Sequence, residues 1–92
     1  MSGTRVQRAD DVVYEVTGGR AVLLDAAGTE LITLNPVGTL VWQAIDGRRD
    51  AHGLAAAIQP QLGDVDPARV TSDVVAFVGE LRQAGLVVDA DG

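Results

Sequence analysis

Any chemistry in this chain must start from one histidine, no cysteine and no lysine. His52 stands in the first turn of an expected helix, without the histidine-carboxylate spacing of a metal-dependent hydrolase, and reads as a solvated surface residue. A zinc site would need mostly carboxylate ligands, which zinc rarely takes. The absence of lysine removes Schiff-base chemistry. Asp64 and Asp66 look like paired acids, but a turn acid followed by a helix cap accounts for both. Gly18-Gly19 lacks the longer glycine pattern and the helix N-terminus of a phosphate-cradling loop, and reads as a hairpin turn. Arg48-Arg49 is an exposed basic pair between helices. Trp42 lies off the main apolar stripe of its helix, where it would cover the edge of the sheet or, as the second reading, dock a partner. No catalytic residue, metal ligand or cofactor is assigned, and the chain is expected not to be an enzyme.

The elements that would position these residues belong to one domain of 92 residues, 47% of them hydrophobic. No apolar run approaches the ~20 residues needed to cross a bilayer. The segment Met1 to Arg5 lacks the apolar stretch of a signal peptide. With no disulfide framework available, a cytoplasmic protein without membrane contact is expected. Thirteen acids against seven bases, all arginine, give a net charge of −6. Nucleic-acid binding needs a basic surface that displaces counterions, so no nucleic-acid partner is expected.

Residues 1–9 are polar and without period, and read as a flexible arm; residues 10–88 form the domain and 89–92 a tail. Val12 to Val16 is rich in β-branched residues, the mark of a strand. Gly18-Gly19 turns it into Ala21 to Asp25, and a second turn, Ala26 to Thr29, leads to a third strand, Glu30 to Leu34. Asn35 can cap the following helix and Pro36 suits its first position. Val37, Leu40, Val41, Ala44 and Ile45 then form one apolar stripe, ended near Gly47. Asp50 can cap a second helix from Ala51 to Gln59, which Pro60 should kink or end. Asp66 caps the third helix and Pro67 opens it. Val70, Val74, Phe77, Val78 and Leu81 share one of its faces, and Gly85 with Leu86 suits a Schellman ending. Leu86 to Val88 reads as a short extension. The order of three strands then three helices gives an α+β fold.

The run from Leu34-Asn35 through the capped helix and Trp42 to Asp46-Gly47 resembles the PqqD-like family, also called RiPP recognition elements. The similarity spans roughly Val12 to Val88. Pro60 in the second helix and the lack of an aromatic in the third strand depart from the family pattern. The resemblance implies a winged-helix-like arrangement of a three-stranded antiparallel meander and three helices. It also implies a non-catalytic chaperone for a precursor peptide. The leader segment of that peptide pairs antiparallel with the third strand, in a groove beside the third helix. Carried onto this chain, the floor is Glu30, Leu31, Ile32, Thr33 and Leu34. The wall is Val70, Val74, Val75, Val78 and Leu81, with Val75, off the deepest stripe, as the groove-facing residue. A modifying enzyme, either a radical enzyme or a leader protease and cyclase, would be the second partner. Quinone-cofactor (PQQ), mycofactocin-like and lasso-peptide pathways all remain open.

Two other readings compete. One is a winged-helix nucleic-acid binder using the third helix, whose exposed Arg69, Ser72, Asp73, Glu80 and Gln83 mix charges unfavourably for that role. The other is a small subunit that forms a homodimer through its free edge strand. An unblunted sheet edge invites pairing of either kind.

Overall fold

The computed structural model describes residues 4–25 and 27–90. Four strands, β1 (Val6–Arg8), β2 (Val13–Thr17), β3 (Arg20–Leu24) and β4 (Leu31–Thr33), precede α1 (Pro36–Ala44), α2 (Ala51–Ile58) and α3 (Pro67–Gln83); β5 (Val87–Asp89) follows. β2, β3 and β4 form the antiparallel meander in that order, and β1 pairs with β5 in a separate two-stranded sheet. The fold is α+β, and the third strand of the expected meander is β4.

The meander is built by its turns. Gly18 and Gly19 both have positive φ, at 61° and 77°, which a two-residue hairpin requires and only glycine supplies cheaply. The second turn is held by the Asp25 carboxylate, which accepts from the Thr29 N–H at 2.8 Å and the Glu30 N–H at 3.3 Å. Ala26, part of the expected turn, lies outside the described residues.

Every helix starts on the expected cap. Asn35 accepts from the Gly38 N–H at 2.6 Å, Asp50 from Gly53 at 2.8 Å and Asp66 from Ala68 at 3.1 Å. Pro60 ends α2 at Ile58 by converting the chain to a 3₁₀ turn over Gln59–Gln61. Gly85, at φ 76°, closes α3 with the bonds Leu86 N–H to Leu81 C=O and Gly85 N–H to Arg82 C=O, a Schellman motif.

Three features differ from the sequence reading. Val6–Arg8, expected within a loose arm, is a strand: Val6 is fully buried and its backbone bonds to Arg49 and Gly47. Its partner is the short extension after α3, with Val6 opposite Asp89 and Arg8 opposite Val87, and Arg82 ties the pair to α3 through Asp89 at 2.9 Å. Met1 to Gly3 of the arm, and Asp91-Gly92 of the tail, lie outside the described residues. The stripe of α1 is also rotated. Val41, Trp42 and Ile45 are buried, whereas Val37 is 42% exposed and Leu40 half-buried. The reason is that α1 is covered on two sides, by β3 and by α2. Trp42 therefore sits wholly in the core, in edge contact with Tyr14 at 5.5 Å, and not at a docking surface.

Candidate functional site

The geometry of the β4 edge follows from its register. Leu31, Ile32 and Thr33 lie opposite Leu24, Leu23 and Val22. The bonds Leu34 N–H to Ala21 C=O, 2.8 Å, and Asp25 N–H to Glu30 C=O, 3.2 Å, flank these pairs. Pairs in an antiparallel ladder alternate between bonded and non-bonded. Glu30, Ile32 and Leu34 thus direct their backbone groups to β3, and Leu31 and Thr33 direct theirs outward. Among the described residues no strand pairs with that outer side. The free edge offers two donors and two acceptors.

Side chains alternate as well. Ile32 and Leu34 point to the helices, where Leu34 is buried and Ile32 half-buried. Leu31, 69% exposed, and Thr33 stand on the open face. The edge is pinned from behind. Thr39 of α1 is buried, and its Oγ1 accepts from the Ala21 N–H at 2.8 Å. Arg20 Nε donates to the Leu34 carbonyl at 3.2 Å. Both contacts fix where β4 passes into α1.

Beyond the end of β4, a cleft of about 350 Å³ opens between the start of α1 and the first half of α3. Asn35, Val37 and Gly38 line it on one side, Val70, Asp73, Val74 and Phe77 on the other, and Leu62 and Val65 close the end. The Phe77 ring rests on Gly38, where a Cβ would stand 3.1 Å from its Cζ, so glycine is what lets the two helices meet around it. Asp73 is the one charged residue in the lining. Arg69 lies 3.9 Å away, with both side chains mostly in solvent, where such pairs contribute little.

The expected wall is divided by this arrangement. Val70 and Val74 line the cleft. Val78 and Leu81 are buried in the core, because the i, i+4, i+8, i+11 stripe of α3 packs on the rest of the domain. Val75 is 41% exposed and outside the lining. Phe77, assigned to the core stripe, is half-buried at the cleft. The signal that could have found it is the i, i+3, i+4, i+7 set Val70, Asp73, Val74, Phe77, which shares one helix face.

β2 also has outward backbone groups, at Tyr14 and Val16, and Arg8 packs on the Tyr14 side chain beside them. Its guanidinium lies 5.1 Å from the Tyr14 ring centre and donates to the Tyr14 hydroxyl at 2.6 Å. Charge beside an edge discourages pairing. Within β4 itself there is no charged side chain.

Among the described residues no group of three or more histidine, cysteine or acidic residues could hold a metal, and no helix is long and apolar enough to cross a membrane.

The chain was compared with known families and structures for likeness of sequence and fold. The sequence profile of coenzyme PQQ synthesis protein D (PqqD) matches residues 20–87, more than half of the chain. None of the curated proteins matches. Two solved structures share the fold. One is TbiB1 in complex with the TbiA(beta) leader peptide: 23% identical, TM-score 0.77, covering 88% of this chain and 93% of that one. The other is lasso peptide synthetase B1 complexed with the leader peptide: 20% identical, TM-score 0.76, covering 91% and 98%.

Proposed function

This chain belongs to the PqqD family, and on that footing we propose that it binds the leader segment of a ribosomally made precursor peptide by strand addition to β4. The observation that carries the proposal is the outward pair of N–H and C=O groups at Leu31 and Thr33 beside an apolar cleft. The two structural neighbours, each held with a leader peptide, support it. The chain acts as a non-catalytic adaptor, presenting the remainder of the precursor to a modifying enzyme.

Energetics assign separate roles to edge and cleft. Four main-chain hydrogen bonds at roughly 0.5–1.5 kcal/mol each give only a few kcal/mol, while ordering a disordered leader costs about 2–5 kcal/mol or more. The ladder fixes register and nearly balances the ordering cost. Affinity must come from apolar leader side chains entering the cleft, at roughly 1.5–3 kcal/mol for each one buried. An antiparallel leader sends its N-terminal part past Leu34 towards Val37 and Phe77. Floor residues Glu30 to Leu34 therefore set the path, and Val70, Val74 and Phe77 receive the anchor.

The nucleic-acid alternative is not favoured. The exposed side of α3 carries Asp73 and Glu80, its Arg69 lies beside Asp73, and its Arg82 is bonded to Asp89. Self-pairing through β4 would use the same edge as the leader, so a homodimer and a leader complex would exclude each other.

Thr33→Pro tests the proposal. The Thr33 N–H points outward, so proline there removes a donor to the leader and none to β3. With a labelled leader peptide that the natural chain binds, affinity should fall about tenfold or more, the worth of ~1.4 kcal/mol. The helical circular dichroism should stay unchanged. Undiminished binding by a folded Thr33→Pro protein would refute the site.

A further inference from the structure

A strand added to β4 has two faces, and only one of them meets the cleft. Leader residues opposite Leu31 and Thr33 share the face of those side chains, and that face of the sheet is open. Across the three strands the register lines up Val13, Leu24 and Leu31 in one row, and Glu15, Val22 and Thr33 in the next. Val13 and Leu31 are 66% and 69% exposed, and Leu24 between them is half-buried. The first row is wholly aliphatic and stops at the free edge, with no strand beyond Leu31 among the described residues. The second is mixed and ends on a threonine.

We infer that the leader residue opposite Leu31 is aliphatic or aromatic, and that this contact on the open face sets part of the chain's choice of leader. The inference rests on the strand-addition reading and adds a second recognition surface, separate from the cleft. Aliphatic and aromatic pairs directly opposite one another are favoured over alanine by about 1.5- to fivefold. An acid at the same leader position would place a carboxylate beside Leu31, at the end of an aliphatic row. The residue opposite Thr33 meets no such demand. Selectivity on this face is therefore concentrated at one leader position, and the two flanking it turn towards the helices.

The test is selection of random twelve-residue peptides displayed on phage, against the natural chain and against Leu31→Glu. Leu31 is exposed, so the variant should keep its fold, checked by circular dichroism; Leu31→Thr replaces it if the glutamate disturbs the edge. Peptides enriched on the natural chain should share an aliphatic or aromatic residue at one position. That position alone should change to lysine or arginine on Leu31→Glu, or lose its preference on Leu31→Thr. A synthetic peptide with alanine there should bind the natural chain about 1.5- to fivefold more weakly. Identical preferences at every position for natural and variant chains would overturn the inference while leaving strand addition standing. No enrichment on the natural chain would overturn the strand-addition reading itself, and this inference with it.

Discussion

At the scale of the residue, the short polar side chains behind β4 hold the edge in place. Thr39 supplies the acceptor for the buried Ala21 N–H, a role its position off the expected apolar stripe of α1 does not announce. Thr39→Val would keep the shape and strand that donor. The expected cost is about 1–3 kcal/mol for an unsatisfied buried group, with thermal unfolding falling by roughly 4–8 °C per kcal/mol. Thr39→Ser, retaining the oxygen, should fall less. Asp25 works at the other end of the strand. The Thr29 N–H foremost, then the Glu30 N–H and the Thr29 hydroxyl, hold its pKa below the ordinary 3.8 against an opposing effect of burial. A carboxyl depressed in the folded state stabilises fully above its unfolded pKa and loses that contribution as pH falls through the lowered value. The amide resonances of Thr29 and Glu30 should therefore move together on acidification, with a midpoint below pH 3.8.

At the scale of the element, legibility followed local signals. The caps Asn35, Asp50 and Asp66 and the closing Gly85 are readable because each is a single residue satisfying a helix end. β1 and β5 were not, because three residues are too few to show alternation and their pairing joins opposite ends of the chain. Trp42 was misplaced for another reason: a helix buried on two sides has no single stripe to find. The floor of the site could be read from Glu30 to Leu34 as alternation on a strand. The cleft could not, since it depends on Gly38 admitting the Phe77 ring, a meeting of residues on two helices that are not neighbours in sequence. Val37 offers a way to test the cleft without disturbing the fold. It lines the cleft, is 42% exposed and lies in the first turn of α1. An acid there suits the helix dipole, so Val37→Asp should leave thermal stability unchanged or slightly raised. Leader affinity should nevertheless fall about tenfold or more, because an apolar anchor would meet a charge, a loss comparable to burying one apolar side chain less.

At the scale of the whole molecule, the N-terminal strand and the last strand lock the two ends of the chain together, with Arg8 on the β2 side of the meander, and the edge of β4, the strand on the other side, is left open. Adding a fourth strand there would extend an existing sheet without rearranging the core. Amide hydrogen exchange, residue by residue, with and without a bound leader peptide, tests this most directly. The N–H groups of Leu31 and Thr33 should exchange freely in the unbound chain and slow sharply on binding, while that of Ile32, already bonded to β3, should change little. A leader that binds yet leaves Leu31 and Thr33 exchanging as before, or protects Tyr14 and Val16 on the β2 edge in their place, would contradict it.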